Sequence, residues 1–259
     1  MSGRGLILAL GGGGARGLAH LGVLQVLTER GVPLAGMVGT SMGAVVAALH
    51  SAGADLRRLA DLADCFPWEH LLDLSLKSLG LTSGERILAV LELLTKNKTF
   101  AELAPPVWVV ATDLERGEPV VYSSGPVAPA VRASISVPGV FCPWSFEGRT
   151  LVDGAVVAGV PVEIARGMGR PVVAVDVGFD LPARRSRHVL DVLSRVVQIM
   201  GGELDRRQVA LADLVIRPAV GGVSSARFDL AAECVACGRR AAEEALAEIW
   251  TLLEKAGSA

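Results

Sequence analysis

Short, unbroken apolar runs alternate along this chain with stretches whose apolar residues recur every three or four positions. Residues 5–10 hold the first run, Leu6-Ile7-Leu8-Ala9-Leu10. It does not alternate with polar residues, so it reads as a strand buried on both faces. Residues 15–30 follow as a helix, with Leu18, Leu21, Val23, Leu24 and Leu27 as its apolar stripe and Gly31 as its stop. Leu34 to Val38 reads as a second buried strand, and residues 42–53 as the helix behind it. Asp55 to Asp64 is a short helical pattern that Asp55 can cap. Residues 85–95 are helical, with Ile87, Leu88, Leu91 and Leu94 on one face. Pro105-Pro106 ends that unit. Val107 to Ala111 is a buried strand, paired with Pro119 to Tyr122 across Glu115-Arg116-Gly117-Glu118. Pro126 to Ala133 is a short helix, and Leu151-Val152 runs into Asp153-Gly154-Ala155. The remaining elements are helices at Val160–Met168, His188–Leu211 and Leu230–Lys255, and strands at Val172–Val177 and Asp213–Arg217. This alternation predicts one α/β domain over residues 1–259, with a mostly parallel sheet covered by helices.

Composition supports an aliphatic interior: 51% of the 259 residues are hydrophobic, 4% are aromatic and 30 are glycine, with a mean hydropathy of +0.47. The net charge is −2 and no basic block stands out, so no nucleic-acid partner is expected. Four cysteines do not make a disulfide framework in a chain of this size. Cys234 and Cys237 lack two further ligands for zinc, so neither a metal nor a cofactor is expected. Gly31 to Ala54 carries no Asp, Glu, Lys or Arg, a length that could cross a bilayer. Pro33, five glycines, Thr40, Ser41 and His50 interrupt it, however, and a buried strand, turn and helix explain it better. A soluble, cytoplasmic protein is the expectation, and any contact with a membrane surface would be transient, since no strongly amphipathic basic helix is evident. The stretch from Cys65 to Gly84 is rich in large apolar groups without clean periodicity. It reads equally as a lid or pocket wall and as a surface loop.

The chemistry concentrates in two glycine-rich turns. Gly39-Thr40-Ser41-Met42-Gly43 has the G-x-S-x-G form that lifts a serine onto a sharp strand-to-helix elbow, and Gly39 and Gly43 leave that elbow room. Ser41 is therefore the candidate nucleophile, and it needs a base. His20, His50, His70 and His188 are poorly placed for that task, although His70 lies in the stretch that could line a pocket. Asp153 sits at a strand end in a tight turn and could serve as base directly. The first turn, Gly11-Gly12-Gly13-Gly14-Ala15-Arg16-Gly17, contains G-x-G-x-x-G at Gly12, Gly14 and Gly17. A dinucleotide site would need an acidic residue after the second strand, and the serine elbow stands there instead. Alternatively the Gly13 and Gly14 amides face an oxyanion. Arg16 is either a cation at the mouth of the site or an ordinary surface arginine near a helix start.

Together these residues resemble the patatin-like phospholipases, in particular their short bacterial single-domain members. Four blocks carry the likeness: Gly12 to Gly17, Gly39 to Gly43, Ala133-Ser134-Ile135-Ser136-Val137-Pro138 followed by Phe141 and Pro143, and Asp153-Gly154-Ala155. Similar segments continue from Val172-Val173-Ala174-Val175-Asp176 through Ile216-Arg217-Pro218 to Arg227-Phe228-Asp229. The resemblance implies a three-layer α/β/α sandwich and a Ser41–Asp153 dyad without histidine. It also implies oxyanion donors at Gly13 and Gly14, with Arg16 near the phosphate or oxyanion. The activity implied is hydrolysis of a lipid or other carboxyl ester through an acyl-Ser41 intermediate. A slow, lipid-sensing binding module on the same fold is the alternative.

Overall fold

The computed structural model describes residues 5–65, 82–178 and 189–258. In chain order the strands are β1 (Leu6–Leu10), β2 (Leu34–Thr40), β3 (Val107–Asp113), β4 (Glu118–Tyr122), β5 (Trp144–Phe146), β6 (Arg149–Asp153), β7 (Val172–Val175) and β8 (Leu214–Ile216). The helices are α1 (Ala19–Glu29), α2 (Met42–Ser51), α3 (Leu56–Cys65), α4 (Glu85–Leu94), α5 (Val127–Ser134), α6 (Val162–Arg166), α7 (Val189–Val209) and α8 (Ala231–Gly257). The expected elements are all present among the described residues, with ends shifted by a few positions. The stretch 66–81, with His70, and His188 lie outside the described residues. The helix expected from residue 15 is corrected at its start: Gly14–Leu18 wind as a tighter 3-10 turn, and the α-helix begins at Ala19.

Strands β3, β2, β1, β7 and β8 form a parallel set with β1 at its centre. All five residues of β1 are buried, as a strand covered on both faces requires. Leu6, Leu8 and Leu10 face one side, with α1, α2, α5 and α8 packed over them. Ile7 and Ala9 face the other, against Val162 and Ala165 of α6 and Val209 of α7. The result is a three-layer α/β/α sandwich. The charge-free stretch from Gly31 to Ala54 is accounted for by β2, the turn at Ser41 and α2. Among the described residues no helix is long and apolar enough to cross a membrane.

Strand β3 gives the sheet its asymmetry. One of its edges carries β4, antiparallel, along Val109 to Asp113. Its other edge is shared. β2 runs parallel to it up to Thr40, which lies opposite Val110. β6 arrives antiparallel and ends at Asp153, opposite Ala111. Two strands running towards each other therefore end at adjacent positions on one edge. The β5–β6 hairpin that delivers Asp153 pairs Trp144 with Leu151 and Phe146 with Arg149.

Helices α1 and α8 approach through glycines. A Cβ on Gly22 would strike the carbonyl oxygen of Val235, and one on Gly238 would strike the carbonyl oxygen of Ala19. Both obstacles are backbone and cannot rotate away. Alanine in place of glycine inside an exposed helix normally adds about 1 kcal/mol of stability. Gly238→Ala should do the opposite and cost about 1–3 kcal/mol, the usual range for overpacking. A thermal midpoint several degrees below wild type is the expected readout, and an unchanged or higher midpoint would contradict the packing.

Candidate active site

The loop after β1 and the elbow after β2 meet at the C-terminal ends of the parallel strands, where open α/β sheets place their ligands. Ser41 adopts φ 53° and ψ −124°. That region disfavours a residue with a Cβ, and holding it costs about 1–3 kcal/mol. The surroundings enforce it. The Ser41 carbonyl accepts the amides of Ala44 and Val45, which starts α2 at once. A side chain on Gly43 would run into the carbonyl of Leu10, and one on Gly39 would reach within 2.6 Å of the Ala44 amide nitrogen. Both flanking glycines are thus required by space. The Ser41 amide donates to Ser134 Oγ at 2.8 Å, and that hydroxyl donates in turn to the Val110 carbonyl at 2.6 Å.

Ser41 Oγ donates to Asp153 Oδ2 at 2.7 Å. The other carboxylate oxygen accepts the Ala155 amide at 2.8 Å. Asp153 is also held through its backbone, its amide on the Ser136 carbonyl and its carbonyl on Thr112 Oγ1, both at 2.9 Å. Gly154 is required beside it, since a Cβ there would meet the carbonyl of Val110. Ser41 and Asp153 are 7% and 3% exposed. Burial pushes the Asp153 carboxyl up to about 6, and the bonds from Ser41 and Ala155 recover only part of that shift. No cation is among the causes of the shift. The carboxylate therefore remains charged near neutral pH, yet it is basic enough to take a proton.

The glycine loop stands next to Ser41, and its amides divide sharply. Gly11 donates to the Val175 carbonyl, Gly12 to Gly159 and Ala15 to Ser225. The amides of Gly13 and Gly14 have no hydrogen-bond partner among the described residues. A Cβ on Gly12 would sit 3.3 Å from the Ser41 Cβ, so the loop passes hard against the elbow. Gly14 has φ +57°, and Gly17 lies directly against the Met42 side chain. Backbone N–H groups without a partner among the described residues are the kind of donor that an anion-binding recess uses.

The described histidines do not reach Ser41. His20 is fully buried, with Nε2 2.7 Å from the Gly11 carbonyl. Burial lowers it to about 4, so the ring is neutral and Nε2–H is the donor that braces the glycine loop. His50, near the end of α2, is also shifted down by burial. Arg16 is not an ordinary surface arginine. It is 6% exposed, because the 3-10 turn carries it inward against α8, where it acts electrostatically on Cys234. Cys234 and Cys237 are buried thiols, as small apolar residues would be.

Three supports had no signal in the sequence. Thr40 Oγ1 donates to the Ala158 carbonyl at 2.8 Å, tying the elbow to the segment after Asp153. Asp205 of α7 accepts the Val160 amide at 2.9 Å and fixes that segment from outside. Burial, with the charge of Asp176 nearby, raises Asp205 to about 7. Arg132 is wholly buried and donates to the carbonyls of Ser83 and Gly84 and to Ser136 Oγ. Its guanidinium lies 5.0 Å and 5.2 Å from the ring centres of Phe141 and Trp144. A cavity of about 400 Å³ lies at the opposite end of the sheet, lined by Gly5, Pro171 and Asp213, and takes no part in this site.

An α/β sandwich with a serine on a strained elbow, bonded to a buried carboxylate rather than to histidine, defines a narrow class. The family profile described as patatin-like phospholipase matches residues 8–166, more than half of the chain. The chain belongs to the patatin-like phospholipase family. An uncharacterized NTE family protein of Mycobacterium tuberculosis is 41% identical over 164 residues, covering 62% of this chain and 45% of that protein. The lysophospholipase nte1 of Aspergillus fumigatus is 34% identical over 185 residues, covering 69% of this chain and 12% of that protein. The chain thus spans less than half the length of either relative. Among solved structures, VipD from Legionella pneumophila matches with a TM-score of 0.65 at 16% identity, over 97% of this chain and 67% of that one. The type III effector ExoU of Pseudomonas aeruginosa matches with a TM-score of 0.52 at 13% identity, over 95% of this chain and 53% of that one. At these identities the likeness is one of fold.

The raised Asp153 carboxyl is also a statement about stability. Between its ordinary value of 3.8 and about 6, the folded chain binds a proton that the unfolded chain does not. Protonation therefore favours the fold in that window, and above it the buried charge costs about 3 kcal/mol. Asp153→Asn should raise the thermal midpoint at pH 8, and the gain should vanish as the pH falls towards 4. Equal midpoints at pH 8 would contradict a strained, buried carboxylate.

Proposed function

We propose that the protein is a serine hydrolase of lipid carboxyl esters, acting through an acyl-Ser41 intermediate. The observation that carries this reading is the buried 2.7 Å bond from Ser41 Oγ to Asp153 Oδ2, near two glycine amides that have no hydrogen-bond partner among the described residues. Membership of the patatin-like phospholipases supports it. The name of the fungal relative, a lysophospholipase, points to glycerophospholipids with a single acyl chain. The free thiols are in keeping with a cytoplasmic setting.

In the reading proposed, Asp153 Oδ2 takes the hydroxyl proton as Ser41 Oγ bonds to the ester carbonyl carbon. The carbonyl oxygen becomes an oxyanion and points at the amides of Gly13 and Gly14. One such donor is worth about 3 kcal/mol of transition-state stabilisation. The start of α2 directly behind Ser41 adds the positive end of its dipole. As the tetrahedral intermediate collapses, the ester C–O bond breaks and the protonated Asp153 delivers its proton to the departing alkoxide. Water then enters, Asp153 removes its proton, and attack on the acyl carbon releases the fatty acid and restores Ser41. One carboxyl group thus serves as base and then acid in each half-reaction, a task that suits a value near 6.

An alkyl fluorophosphonate should modify wild type at Ser41 and leave Ser41→Ala unmodified. Against a panel of phospholipid, lysophospholipid, glyceride and short soluble esters, Ser41→Ala should lose at least about 10³-fold in turnover. Hydrolysis by wild type no faster than by Ser41→Ala would favour the lipid-sensing module instead. A separate expectation concerns pH: kcat/KM should fall about tenfold per unit below about pH 6, as Asp153 is protonated. A flat profile down to pH 4.5 would remove Asp153 from the role of base.

A further inference from the structure

The mechanism above leaves one buried hydroxyl at the site without a task. Ser134 is wholly buried and is the last residue of α5. Its single donor is committed to the Val110 carbonyl at 2.6 Å. A lone pair is thereby turned to the Ser41 amide, which it meets at 2.8 Å. That amide belongs to the strained residue of the elbow, at φ 53°. Val110 is the β3 residue opposite Thr40, so the Ser134 hydroxyl bridges the end of β2 to its neighbouring strand just beyond the last register pair.

The same turn of chain grips the base. The Ser136 carbonyl, two residues on, accepts the Asp153 amide at 2.9 Å. Arg132, two residues before Ser134, locks the turn through Ser136 Oγ at 2.7 Å. Ser41 and Asp153 are 112 positions apart in sequence, yet both hang from residues 134–136. We infer that Ser134 is a positioning residue for the nucleophile. Its hydroxyl holds the Ser41 backbone in the elbow conformation and so sets the approach of Oγ to Asp153. It also occupies the Ser41 amide, which leaves anion binding to Gly13 and Gly14. This inference rests on the acyl-hydrolase reading for its catalytic half and on geometry alone for its structural half.

The test compares wild type, Ser134→Ala and Ser134→Thr in the full chain, with two readouts. The first is the rate of fluorophosphonate modification at Ser41, together with kcat and KM for the best ester of the panel. The second is hydrogen exchange of the Ser41 amide, with a thermal midpoint for each variant. Ser134→Ala should slow modification and kcat by about 10-fold or more, up to about 100-fold, with KM nearly unchanged. Its Ser41 amide should exchange faster, and Ser134→Thr, which keeps the hydroxyl, should recover most of the rate. Wild-type rates and wild-type exchange in Ser134→Ala would overturn the inference, as would a loss confined to KM. Absence of modification in wild type would overturn the acyl-hydrolase reading instead, and exchange of the Ser41 amide would then decide alone whether Ser134 holds the elbow.

Discussion

Along one edge of β3, two strands running in opposite directions end at neighbouring positions, Thr40 opposite Val110 and Asp153 opposite Ala111. Everything in the candidate site depends on that abutment. A parallel strand must deliver its C-terminal end to the functional rim of the sheet, and β2 does so with Ser41. An antiparallel strand can deliver its own C-terminal end to the same rim only by stopping where the parallel one has stopped. The β5–β6 hairpin does this, and Asp153 arrives facing the elbow. The 2.7 Å bond between the two side chains follows from the register of the sheet.

The rest of the structure removes the freedom that such a junction would otherwise have. Thr40 is tied to Ala158, Asp153 to Ser136 and Thr112, and the Gly12 amide to the Gly159 carbonyl. The segment from Asp153 to Val160 therefore touches the elbow and the glycine loop at once, and Asp205 of α7 fixes it from outside. These bonds offset the strain at Ser41 and the burial of Asp153. Each unfavourable feature is local, and each is held by several backbone or hydroxyl partners. His20 illustrates the division of labour. It is spent as a neutral donor on the Gly11 carbonyl, and the carboxylate is the only titratable group bonded to the serine among the described residues.

Much of this was legible in the sequence, for stated reasons. Unbroken apolar runs are what buried parallel strands require, and β1 and β2 appeared as such. The elbow announces itself because Gly39 and Gly43 answer steric demands that no other residue meets. Asp153 was an open candidate at the Asp-Gly turn, and the resemblance to the patatin-like phospholipases is what implied it as the base. What stayed hidden depends on long-range register. Trp144–Phe146 is a three-residue strand whose role exists only once it pairs with β6. Asp205 is an ordinary polar residue, and Ser134 and Thr40 stand in motif blocks with no stated task, until the fold sets them against amides and carbonyls far away in sequence. Arg16 depends on the fold too: an ordinary surface arginine was one reading of it, and one turn of 3-10 helix buried it.

The central claim is that the meeting of β2 and β6 places Ser41, Asp153 and the glycine amides around a single reacting carbon. A crystal structure of the protein carrying an alkylphosphonyl group tests it most directly, because the phosphonyl oxygen stands where the oxyanion would be. That oxygen should lie about 3 Å from the amide nitrogens of both Gly13 and Gly14. Asp153 should remain beside the modified Ser41, with room for a water between its carboxylate and the phosphorus. An oxygen turned away from both amides, or Asp153 displaced from Ser41, would contradict the account.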